Sequence, residues 1–124
     1  MYKFYNAHPK KLNVKDCVVR AYCTALNKDY NEARNELNRL KRSLRMDSYK
    51  DKKFLDKLYA NYEKLSFPAE KGYARMNGQM FMEKFPKGTY ILRMAGHHTV
   101  CIDGDILDTW DCTEKCVYFA YKIY

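Results

Sequence analysis

Cys17, the histidine doublet His97-His98 and Asp108 are side chains whose types, taken together, could perform nucleophilic chemistry. A thiolate attacks a carbonyl carbon, an imidazole takes and returns the proton, and a carboxylate fixes the tautomer of that imidazole. Cys17 follows Asp16, a residue type favoured at helix N-caps. It precedes Val18, Ala21, Tyr22, Ala25 and Leu26, which recur at the spacing of one helical face, with Asn27 as the stop. The thiol therefore stands at a helix start, where free backbone N–H groups and the positive end of the helix dipole both favour thiolate. An arbitrary cysteine is more often a small buried hydrophobe. What sets Cys17 apart is the set of matching partners downstream.

Those partners lie on a hairpin. Asp103-Gly104 separates two alternating apolar runs, and a two-residue type I′ turn needs positive φ at both central positions. In that register Ile102 faces Asp105, Thr99 faces Asp108 and His97 faces Trp110. His97, Thr99 and Cys101 then share a face with Ile106, Asp108 and Trp110, whereas His98 shares the other with Val100, Ile102, Leu107, Thr109 and Asp111. His97 and Asp108 become diagonal neighbours, and His97 is the expected base. A bulge or a longer turn would exchange the faces and make His98 the base with Asp108 or Asp111, so His98 stands as the alternative. An exposed histidine doublet without partners is the plainer reading of the same residues.

The elements that must position this set follow from periodicity. Asp29 and Glu32 stand in capping-box spacing ahead of Tyr30, Ala33, Leu37, Leu40 and Leu44, a second helix whose other face carries Arg34, Arg39, Lys41, Arg42 and Arg45. Phe54, Leu55, Leu58, Tyr62 and Leu65 define a third helix that must stop before Pro68. A short fourth helix is expected from Gly78 to Phe85, capped by Asn77. From Thr89 the period becomes two. Strands are expected over Thr89 to Ala95, His97 to Ile102, Asp105 to Asp111 and Val117 to Ile123. The class is α+β: one domain over 1–124, with a helical half (1–86) packed on an antiparallel sheet of about four strands (87–124).

A chain of 124 residues can bury a core without staples, and its five cysteines are odd in number and lack a CxxC pair, so reduced thiols are expected. Met1 to Lys11 has no apolar segment that would serve as a secretory signal, no run reaches membrane-spanning length, and a cytoplasmic protein with no membrane partner is expected. The net charge of +8, concentrated between Arg34 and Lys57, favours an acidic partner, nucleic acid included, although basic faces of amphipathic helices are most often simply solvated. Arg20, one turn after Asp16, reads as its ion-pair partner rather than a substrate contact. Trp110 reads as a lid or core residue beside the base. Cys112 and Cys116, with His98 and Cys101, are the nearest approach to a zinc set, but the tight knuckle of structural zinc is missing. No metal or other cofactor is expected.

The run from Asn13 to Ala21, together with Gly88 to Leu92, Gly96 to Gly104 and Asp108-Thr109-Trp110-Asp111, resembles a group of small phage and prophage proteins. These are distant members of the papain-like superfamily, similar in layout to bacteriocin-leader peptidases and to cell-wall endopeptidases of the NlpC type. The resemblance spans nearly the whole chain. It implies a papain-like fold and a thiol hydrolase, a peptidase or amidase, with Cys17 as nucleophile, His97 as base and Asp108 as orienting acid. It also implies a polar oxyanion donor upstream of the cysteine, for which Asn13 is the candidate. Six residues before the cysteine, where such families place a glutamine, this chain has Lys11. Related folds include members that only bind. The competing expectation is thus a catalytically silent papain-like binding module, a virion component or an inhibitor of a host protein. Partners would be a peptide or protein substrate or a host protein, in the host cytoplasm or the virion.

Overall fold

The computed structural model describes residues 1–49 and 51–124. In chain order the described elements are β1 (Tyr2–Phe4), α1 (Cys17–Ala25), α2 (Tyr30–Ser43), α3 (Lys52–Leu58), β2 (Glu63–Ser66), α4 (Gly78–Lys84), β3 (Thr89–Met94), β4 (His97–Ile102), β5 (Asp105–Asp108) and β6 (Val117–Lys122). The strands form one sheet in the order β1-β5-β4-β3-β6-β2. The protein is α+β, with four helices packed on a mixed six-stranded sheet among the described residues.

Two strands beyond the expected four account for the difference. β1 pairs parallel with β5, so the sheet is not purely antiparallel, and three residues at the chain start are too few for an alternating pattern to be read. β2 falls where helical spacing through Tyr62 and Leu65 extends the third helix. That helix instead ends at Leu58, and Glu63–Ser66 pairs antiparallel with β6. Leu65 fits either period, and the open edge of β6 supplies the ladder partners that decide it. The strand expected to reach Asp111 stops at Asp108, where the chain leaves the ladder.

Sheet parity sorts the core into two clusters. On one face α1, α2 and α3 bury Val18, Ala21, Tyr22, Leu37, Phe54 and Leu55 against Ile91, Val100 and Tyr121. On the other, α4 buries Phe81 and Met82 against Tyr90, Leu92, Cys101, Ile106 and Ala120. Each fully buried aliphatic or aromatic side chain contributes about 1.5–3 kcal/mol relative to exposure, so both faces are needed to hold the sheet.

Local chemistry sets the ends of the elements. Asp29 caps α2 through Asn31 N–H and Glu32 N–H, and Asn77 Oδ1 accepts from Met80 N–H at 2.9 Å to start α4. After α1, Asn27 takes φ 53°, and Lys28 N–H donates back to Cys23 O at 2.9 Å, an αL closure of the helix end. At the hairpin, Asp103 and Gly104 take φ 48° and 80°, and the pairs Ile102↔Asp105, Cys101↔Ile106 and Val100↔Leu107 give the register expected of a two-residue loop.

Candidate active site

Three segments converge at one end of the sheet: the start of α1, the first residues of β4, and the chain leaving β5. With Val100↔Leu107 in register, His97 and Asp108 share the α4 face at the ladder's open end. His97 Nε2 and Asp108 Oδ2 stand 2.7 Å apart, both side chains buried. His98 points to the α1 face, where it is 4 % exposed. Among the described residues neither of its ring nitrogens has a partner at hydrogen-bond geometry. The structure thus pairs the carboxylate with the first histidine of the doublet and sets the second against Cys17.

Asp108 is held on every side. Its Oδ1 accepts from Thr109 N–H at 2.7 Å and lies 3.5 Å from Arg20 Nη1, while Cys112 Sγ–H donates to Oδ2 at 3.5 Å. Burial pushes the Asp108 carboxyl up, but the hydrogen bond and charge of His97 prevail and hold it below the usual carboxylate range. Arg20 also donates to Thr109 Oγ1 at 2.9 Å, and its Nε lies 2.8 Å from Asp16 Oδ1, the expected ion pair. The guanidinium therefore ties the helix of the thiol to the loop of the carboxylate.

That tie changes the start of α1. Asp16 occupies the N-cap position, but its carboxylate accepts from Tyr30 O–H at 2.8 Å and pairs with Arg20, and makes no capping bond. The first-turn N–H groups of Cys17, Val18 and Val19 are left without a side-chain cap, so the dipole end faces the thiol undiminished. Burial raises the Cys17 thiol pKa, but His97 and His98 more than offset it and bring it down to about 5. The imidazole of His97 moves the opposite way: burial lowers it, while Asp108, Cys112 and Cys17 lift it to about 11. Both shifts favour a thiolate beside an imidazolium. His98 is lowered, chiefly by burial.

Two cavities meet Cys17. One, of about 10 Å³, lies between Cys17, Arg20, His98, Thr99 and Asp108, close to the minimum for a single water. The other, of about 260 Å³, is walled by Lys15, Asp16, Val18, Ser48 and Tyr49. A third, of about 180 Å³, opens on His97 and His98 from the β3–β6 side. The Trp110 ring stands 4.9 Å from that of His97 and is 45 % exposed, which makes it a lid over the base rather than a core residue.

Asn13 is exposed in the loop before α1 and lines neither cavity that Cys17 lines. Lys11, at φ 55°, turns its ammonium onto Asn6 O at 2.9 Å instead. The four residues considered for zinc are not gathered, because His98 and Cys101 lie on opposite faces of β4. The donor atoms of His97, Asp108 and Cys112 do lie within 4.8 Å of one another, a set compatible with a borderline-soft divalent ion. Sequence reasoning missed Cys112 because its approach to Asp108 depends on the irregular turn after β5. That turn is pinned to α4 by Gln79 N–H to Thr113 O at 3.0 Å and by Gly78, where a Cβ would meet Thr113 Cα at 2.9 Å. It missed the link from Arg20 to Asp108 for the same reason. Comparisons with family models, with curated proteins and with solved structures return no match.

Proposed function

We propose that this protein is a papain-like thiol hydrolase, a peptidase or amidase, in which Cys17 is the nucleophile, His97 the base and Asp108 the orienting acid. The observation that carries the reading is the His97 imidazole fixed by its Nε2 on Asp108 at 2.7 Å, with the Cys17 thiol on an uncapped helix start lowered toward thiolate by His97 and His98. Nδ1 of His97 is then the nitrogen available to the thiol.

In this reading the Cys17 thiolate attacks a carbonyl carbon. The developing oxyanion is met by the N–H groups of the first turn of α1, Cys17 N–H foremost. The imidazolium of His97 gives its proton to the departing amine, leaving a thioester on Cys17. Neutral His97 then takes a proton from water, whose oxygen attacks the thioester, and the acid is released with the thiol restored. Asp108 keeps the imidazole in one tautomer throughout, and Trp110 shields it from bulk water. A phage or prophage origin and a role in the host cytoplasm belong to the same proposal.

An activated ester tests it. With p-nitrophenyl acetate, one equivalent of nitrophenolate should appear in a burst, acetyl should be found on Cys17 by mass spectrometry, and Cys17→Ala should show neither. A burst that survives in Cys17→Ala would sink the reading. One observation favours the alternative of a catalytically silent papain-like binding module: Asn13, the oxyanion donor that the resemblance implies, is exposed and lines neither cavity at Cys17. An acetyl-Cys17 that forms but never turns over would select it. The exposed arginines of α2 favour nucleic acid only through their charge, and steep salt dependence of retention would be its mark.

A further inference from the structure

Arg93 is the feature near the site that the proposed chemistry leaves unused. It sits on β3 directly across from His98 on β4 and from Phe119 on β6, on the same face as α1. The β3–β6 ladder shifts register between Arg93 and Met94, a bulge that leaves Tyr118 unpaired between Phe119 and Val117. Arg93 lines the cavity of about 180 Å³ together with His97, His98 and Tyr118. The Tyr121 hydroxyl lies beside the guanidinium of Arg93, the Nη1 is buried without a hydrogen bond of good geometry, and among the described residues no carboxylate lies within ion-pair distance of Arg93. Its guanidinium lies 5.3 Å from the centre of the Phe119 ring, which holds the fork in place.

A second arginine repeats the pattern one recess further out. Arg75 stacks 4.5 Å over Tyr118, has a buried Nε without a partner, and lines a cavity of about 390 Å³ with Phe67 and Phe119. Tyr118 is a wall common to both recesses. A half-buried guanidinium without a counter-ion is costly unless something supplies one. A guanidinium held over an aromatic ring keeps its planar fork of donors, and the partner such a fork suits is a carboxylate.

We propose that Arg93, backed by Arg75, forms a carboxylate-binding arm of the cleft, so that the site takes substrates bearing a free carboxylate close to the carbonyl under attack. The inference rests on Cys17 being the reactive thiol, and it sets the substrate class: peptides or amides with an acidic side chain or a terminal carboxylate on the His97 side.

Two alkylating agents of nearly equal shape read the arm without any turnover. Iodoacetate and iodoacetamide each form an S–C bond with the Cys17 thiolate and expel iodide, and they differ in carrying a carboxylate or a neutral amide. Iodoacetate should show saturable alkylation of Cys17. Arg93→Gln should lower its rate about tenfold, the worth of one charge-assisted hydrogen bond, and leave the iodoacetamide rate within about twofold. Arg93→Lys should recover part of the difference. Equal loss for both reagents, or none for iodoacetate, overturns the arm while leaving the nucleophile intact. A Cys17 inert to both reagents would instead count against the hydrolase reading. The arm is then judged by NMR of the arginine Nε–H groups. N-acetylphenylalanine should shift the Arg93 signal, and its carboxamide should not. Equal shifts with both compounds overturn the proposal.

Discussion

His97 and His98 are neighbours in the chain, both buried, and opposite in chemistry. His97 looks to the α4 face, meets Asp108 at 2.7 Å and is lifted to about 11. His98 looks to the α1 face, faces Cys17 with no carboxylate beside it among the described residues, and is pushed down chiefly by burial. Burial lowers both and Cys17 raises both, so Asp108, with Cys112 beside it, is what chiefly separates them. A buried imidazole is neutral filler by default and becomes a cation only where the fold delivers a counter-charge. The two sheet faces divide the labour accordingly: α1 brings the thiol, and the α4 side secures the carboxylate.

The comparison breaks most severely at its foundation. Phe81 is fully buried under α4, and Phe81→Ala should cost about 3–5 kcal/mol in urea unfolding, with Cys112 alkylation rising as the turn loosens. A loss under about 1 kcal/mol would show that the α4 face does not support the site.

Next in size is the contrast between the histidines themselves. The pH midpoint of Cys17 alkylation should fall at about 5 in the parent protein, rise by roughly 2 units in His97→Ala and rise by less than about 1 unit in His98→Ala. The reverse ranking would make His98 the partner of the thiol. His98→Leu removes two unsatisfied nitrogens and should leave stability unchanged or raise it by about 1 kcal/mol.

The same pair predicts a pH dependence of stability. The folded Cys17 pKa of about 5 lies below its ordinary 9.0, so the thiolate's contribution is full above pH 9 and is lost as pH falls toward 5. His97 has the opposite sign: its contribution is full below 6.5 and is lost as pH rises toward 11. The stability gap between the parent and Cys17→Ser should therefore shrink from pH 8 to pH 5. A gap that stays constant means the thiol is not ionised in the fold. The smallest effect belongs to the solvent side of α2. Arg39 and Arg42 are exposed there, and replacing both with Glu should change stability by no more than about 0.5 kcal/mol. A larger change, or loss of a captured acidic partner, would give that surface a role.

Much of this arrangement is legible in the sequence. The Asp103-Gly104 turn fixes register, register fixes parity, and parity puts His97 and Asp108 on one face. The helix beginning at Cys17 and the stop at Asn27 follow from spacing and from αL chemistry. What could not be read depends on partners distant in sequence. β1 and β2 become strands because edges of β5 and β6 are open to them. Asp16 gives up its capping role to Tyr30 and Arg20, a competition that no local pattern discloses. The resemblance points to Asn13 as the oxyanion donor, and the loop leaves it exposed.

The parallel pairing of β1 with β5 has a kinetic consequence. Tyr2 O–H donates to Asp108 O at 3.1 Å across 106 positions of chain, and Cys17 meets His97 across a comparable separation. Contacts of such long range close late, after the local helices and the hairpin have formed. Until then Cys17 is an ordinary thiol with an ordinary proton, since neither imidazole is near it. The nascent chain would thus carry no reactive sulfur while its own peptide bonds are still exposed. The appearance of fast alkylation during refolding would serve as a clock for the last closure of the sheet.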